Sequence, residues 1–101
     1  MKYGFHDLGV IEQGHVLKIV LTYSAFVRIM DEANYLEYRN QRSYKAVSKY
    51  VQSTPYVVKL PRTAHWYVVV DVENQLTKVN SFVHVLNNGA KIKDPITPLP
   101  G

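Results

Sequence analysis

Four histidines, His6, His15, His65 and His84, are the side chains best suited to metal or acid–base chemistry in this sequence, with Asp7, Asp31 and Asp71 as candidate companions. No HxH or HExxH spacing joins them and cysteine is absent. A metal site would therefore need ligands converging from separate strands, and the expectation is hydrogen-bonded or surface histidines with no metal. Ser24, Ser43, Ser48, Ser53 and Ser81 are available as nucleophiles, but none sits in a G-x-S-x-G turn. Gly9 and Gly14 stand too far apart, with no helix following, to cradle a phosphate. Paired carboxylates would have to come from eight acids, most of them in turns or on the one helix. The reading is a chain without catalytic residues or cofactor. A small hydrolase is an alternative that would need an acid and a base meeting in a cleft.

Charge distribution is more informative. The net charge is +4 and the isoelectric point about 9.4. Between Tyr38 and Val70 there is no Asp or Glu, yet Arg39, Arg42, Lys45, Lys49, Lys59 and Arg62 fall there. A chain polarised in this way presents a basic face to an anionic partner. Tyr38, Tyr44 and Tyr50 alternate with Arg39, Arg42, Lys45 and Lys49, and stacking rings interleaved with cations suit single-stranded nucleic acid. The plainer reading makes the tyrosines half-buried strand residues and the lysines edge protection. In His65-Trp66-Tyr67, Trp66 shares strand parity with Val68 and Val70 and is expected in the core. His65 and Tyr67 then face the other way, where with Asp71 they would line a ligand surface.

The elements that must position these groups are short. At 101 residues, 47% of them hydrophobic, the chain has room for one domain with one core. Strands are expected over Tyr3–Leu8, closed by Gly9, and over His15–Tyr23, with Leu17, Ile19, Leu21 and Tyr23 on one face. Further strands are expected over Ala25–Met30, Tyr44–Gln52 (an edge), Tyr56–Leu60, Trp66–Val72 (central) and Leu76–Leu86. Glu73-Asn74-Gln75 reads as a polar hairpin loop. Asp31 to Arg39 reads as a short helix capped by Asp31, with Glu32 in the first turn, Arg39 near the end, and Tyr35, Leu36 and Tyr38 as packing face. Seven strands and one helix fit an antiparallel two-layer β-sandwich, jelly-roll-like, over residues 1–86. Asn88-Gly89 marks a turn, and Pro95, Pro98 and Pro100 make residues 87–101 either an extended strap or a linker.

Taken in order, Phe5-His6-Asp7-Leu8-Gly9, Val27-Arg28-Ile29-Met30-Asp31 with Asn34-Tyr35 and Tyr38, Leu60-Pro61-Arg62, His65-Trp66 running into Val69-Val70-Asp71, and Ser81-Phe82-Val83-His84-Val85-Leu86 resemble a small bacterial family of unknown function. That family is found alone and ahead of TIR domains. The resemblance spans residues 3–86. It departs at Val47-Ser48-Lys49 and Ala64, where family members carry glycine. It implies a β-rich domain and, through the TIR neighbours, a sensing or adaptor role in bacterial signalling or defence. It brings no catalytic residues.

The expected function is a non-catalytic module binding a protein or a small anionic ligand through Arg39, Arg42, Lys45, Lys49 and Arg62, with Tyr38, Tyr44, Tyr50, His65 and Tyr67 alongside. A nucleic-acid-binding β domain using the same surface is the second reading. No secretory h-region opens the chain and the longest apolar run, Trp66–Val70, falls far short of the ~20 residues of a spanning helix. A cytoplasmic protein away from the membrane is expected, and partly protected strand edges admit a homo-oligomer.

Overall fold

The computed structural model describes residues 3–52, 54–71, 79–87 and 95–99. The elements are β1 (Tyr3–Ile11), β2 (Val16–Leu21), β3 (Ala25–Asp31), α1 (Glu32–Arg39), β4 (Val47–Val51), β5 (Tyr56–Lys59), β6 (Ala64–Asp71), β7 (Ser81–Leu86) and β8 (Ile96–Pro98). They form two four-stranded sheets, in the orders β1-β6-β3-β4 and β7-β2-β5-β8. The fold is an all-β sandwich with one short helix. Glu73–Gln75, Leu76–Lys78, Asn88-Gly89, Val72 and Ser53 lie outside the described residues.

Strand alternation builds the core. Leu17, Ile19 and Leu21 of β2 meet Val27 and Ile29 of β3 and Trp66, Val68 and Val70 of β6, all buried. Each such side chain contributes roughly 1.5–3 kcal/mol relative to exposure. β6 is flanked by β1 and β3 and is buried on both faces. Its outward Tyr67 and Val69 form a second cluster with Met30 and Tyr35, with Tyr38 and Ala46 packed against it. The helix is the cover. Its first turn is set by Asp31, whose Oδ1 accepts the Asn34 N–H at 3.0 Å, the N-cap arrangement that the sequence announces.

Four expectations are corrected. Gly9 does not end the first strand: β1 runs on to Ile11, with a bulge between Asp7 (opposite Tyr67) and Val10 (opposite His65). Gly9 takes φ +70° there, which costs little without a Cβ. The second strand stops at Leu21, and Tyr23 is exposed because the chain turns where Thr22 N–H bonds the Asn80 carbonyl at 3.0 Å. On α1 the packing residues are Tyr35 and Tyr38, three apart on one face, and Leu36 points to solvent. The sheets are not wholly antiparallel either, since β8 pairs parallel with β5.

That last pairing concerns the residues after Leu86. Ile96–Pro98 adds an edge strand, a position that tolerates Pro98. Leu99 is buried in the main core, its N–H bonded to the Lys59 carbonyl at 3.3 Å. Ile96–Pro98 and Leu99 thus pack on the domain.

Candidate functional site

The turn from β3 into α1 organises a connected set of polar groups. Asp31 Oδ1 accepts both the backbone N–H and the side-chain Nδ2–H of Asn34 (3.0 and 2.8 Å). Asn34 Oδ1 accepts the Lys45 N–H at 2.8 Å, fixing the connection to β4 against the first turn of the helix. Asp31 Oδ2 accepts from Arg62 Nη2. The Arg62 guanidinium lies over the Trp66 ring, 5.1 Å from its centroid, while the Arg62 carbonyl accepts the indole N–H at 3.2 Å. Burial alone would raise the Asp31 carboxyl, but the bonds from Asn34 and Arg62 outweigh it and hold the group below its ordinary value.

These residues surround a cleft of about 270 Å³. Lys45, Arg62, Asp31 and Asn34 supply its polar rim. Ile29, Met30, Val47, Trp66 and Leu99 supply apolar lining. Small-molecule sites have this composition, an apolar surface with a few convergent polar groups. A second hollow of about 330 Å³, lined by Leu21, Thr22, Tyr23, Ser24, Val51, Gln52 and Thr54, carries no charged side chain. Size favours the second and chemistry the first; the charged groups decide for the first.

On the far side of the helix start, His65 sits between two carboxylates. Its Nε2 is 2.5 Å from Asp7 Oδ1 and its Nδ1 is 3.2 Å from Glu32 Oε2. The ring stacks on Tyr67 at 4.9 Å and 9°. The bond from His65, followed by the Gly9 N–H, keeps the Asp7 carboxyl low. Both imidazole nitrogens face carboxylate oxygens. His6 Nε2 lies 2.8 Å from Ser81 Oγ, which ties β1 to β7 across the sandwich. No carboxylate bonds His6 among the described residues, and neither His6 nor Ser81 lines either cleft. Among the described residues no group of three or more His, Cys, Asp or Glu is placed to hold a metal ion.

A model of a domain of unknown function, DUF1883, matches residues 1–88. The chain belongs to the DUF1883 family. No curated protein matches it, and no solved structure does. The matched region of this DUF1883 domain contains every lining residue of the cleft except Leu99.

Of the residues singled out by sequence, the DUF1883 domain brings together Lys45 and Arg62. The others lie outside that cleft, Tyr38 against Tyr44 and His65 against Tyr67. Arg39 is exposed in the last turn of α1, and Arg42 is paired with Glu37 at 2.8 Å. Tyr38 and Tyr44 pack edge-on against each other at 4.9 Å. Lys49 Nζ sits 4.8 Å over the Tyr56 ring, and Tyr50 packs on Phe26 at 5.0 Å. The expected surface of His65, Tyr67 and Asp71 is not open. Tyr67 lies buried against Tyr35, rings parallel at 4.1 Å, because α1 folds over this face. Asp71 is buried and paired with Arg28 at 2.9 Å. Sequence reading missed Asn34, Glu32 and Leu99. Only Asn34 carried a signal, its spacing of three from the capping Asp31.

Proposed function

We propose that this DUF1883 domain is a non-catalytic binding module whose ligand is a small anion held in the cleft between Lys45 and Arg62. The observation that carries the reading is the fixed guanidinium. Asp31 on one side and Trp66 beneath hold Arg62, so little side-chain entropy remains to be lost on binding. Lys45 adds a second cation from another connection. Against a nucleic-acid groove stand the dispersal of the basic residues and the mutual packing of Tyr38 with Tyr44. A sensing or adaptor role in bacterial signalling, alongside TIR domains, rests on the family resemblance alone.

The test is thermal unfolding with a panel of small anions at constant ionic strength. A ligand at 100 times its Kd stabilises the folded state by about 2.7 kcal/mol. The wild-type midpoint should rise saturably with some of these anions, and the Lys45→Gln/Arg62→Gln double variant should lose the rise. A rise unaffected by both substitutions, or none with any anion, would contradict the proposal.

A further inference from the structure

We infer that the anion is a carboxylate with a compact apolar body rather than a phosphate ester, an inference that rests on the anion-binding reading above. The cleft's own charges argue first. Lys45 and Arg62 stand against the Asp31 carboxylate, which lines the same space and is held ionised by its bonds. One positive charge is left over, which matches a monoanion. A phosphate ester carries about −1.5 to −2 at neutral pH and would bring its second charge against Asp31.

Geometry argues next. Arg62 spends Nη2 on Asp31 and one face on Trp66. The second Nη2 N–H, with the nitrogen beside it, leaves one edge of the guanidinium able to bond two oxygens of an anion in parallel, carboxylate or phosphate alike, so charge decides between them. The lining argues third. Met30, Ile29, Val47, Trp66 and Leu99 offer hydrocarbon or ring surface, so the part of the ligand beyond its charged group must be apolar. The cleft of about 270 Å³ has room for a small organic acid. An acid the size of phenylacetate fits such a space. Leu99 lies beyond residues 1–88, so this part of the apolar wall falls outside the matched family region.

The probes are phenylacetate, phenyl phosphate and benzyl alcohol, followed by ¹H–¹⁵N NMR at equal ionic strength on the full chain. Phenylacetate should shift the Trp66 indole N–H and the amides of Lys45, Ala46 and Arg62 saturably. Phenyl phosphate should bind about tenfold more weakly, the scale of one misplaced charged contact, and benzyl alcohol should leave these signals in place. Asp31→Asn, which keeps a competent helix cap, should narrow the gap between the two anions. If phenyl phosphate binds as well as phenylacetate or better, the carboxylate inference falls and the anion site stands. If benzyl alcohol shifts the same signals equally, or no probe shifts them, both fall.

Discussion

Arg62 donates from Nη2 to Asp31 Oδ2 across 31 positions of sequence, joining the β5–β6 connection to the residue that caps α1. One carboxylate therefore does two jobs. Its Oδ1 starts the helix and its Oδ2 orients the cation at the mouth of the cleft.

Arg62→Ala should destabilise the fold by only about 1 kcal/mol, since the pair is partly solvated and the cation–π contact is modest. The same change should abolish anion binding. Denaturant unfolding beside a binding titration separates the two effects, and a loss of several kcal/mol would make Arg62 a structural residue.

Tyr35→Ala should cost about 3 kcal/mol or more, as expected for removing a buried ring. Tyr35 stacks on Tyr67 at 4.1 Å and on Phe5 at 5.6 Å, and it is the buried residue of α1. Hydrogen exchange should quicken across Glu32–Arg39 while the β2 and β5 amides stay protected. Uniform loss of protection would mean that the helix is not a separable cover.

Leu99→Ala should cost about 2–3 kcal/mol, within the range for buried leucine, because Leu99 lies in the main core. A change below about 0.5 kcal/mol, typical of the surface, would contradict the packing of Leu99 in the core.

Acid stability should depend on Asp31. Its carboxyl lies below its ordinary value when folded, so the unfolded chain takes up the proton first as pH falls. The contribution is present above the unfolded value of about 3.9 and is lost as pH drops through the lower folded value. Asp31→Asn should flatten the wild-type fall in stability below about pH 4. An unchanged acid limb would assign it to other carboxylates.

Much of this architecture is legible in the sequence because period-two patterning and caps are local. Leu17, Ile19 and Leu21, the inward parity of Trp66, Val68 and Val70, and Asp31 as N-cap all follow from neighbours within a few residues. What the sequence hides depends on distant partners. Nothing near Tyr67 says that Tyr35 will cover it, and nothing near Pro98 says that Leu99 will reach the core beside β5. The basic run is the instructive case. Composition shows cations without acids between Tyr38 and Val70, but alternation on β4 and the turn after α1 send Arg42, Lys45 and Lys49 to different neighbours. Only Lys45 shares a cleft with Arg62, and Asn34 fixes the Lys45 backbone there.

Trp66 is the chain's single tryptophan and lines the cleft, so its fluorescence reports occupancy directly. The decisive measurement is a titration of that signal with phenylacetate at constant ionic strength, in the wild type, in Lys45→Gln/Arg62→Gln and in the exposed control Arg39→Gln. A saturable change in the wild type and the control, absent from the double variant, is the result predicted. A change that persists in the double variant, or disappears in Arg39→Gln, would contradict an anion site between Lys45 and Arg62.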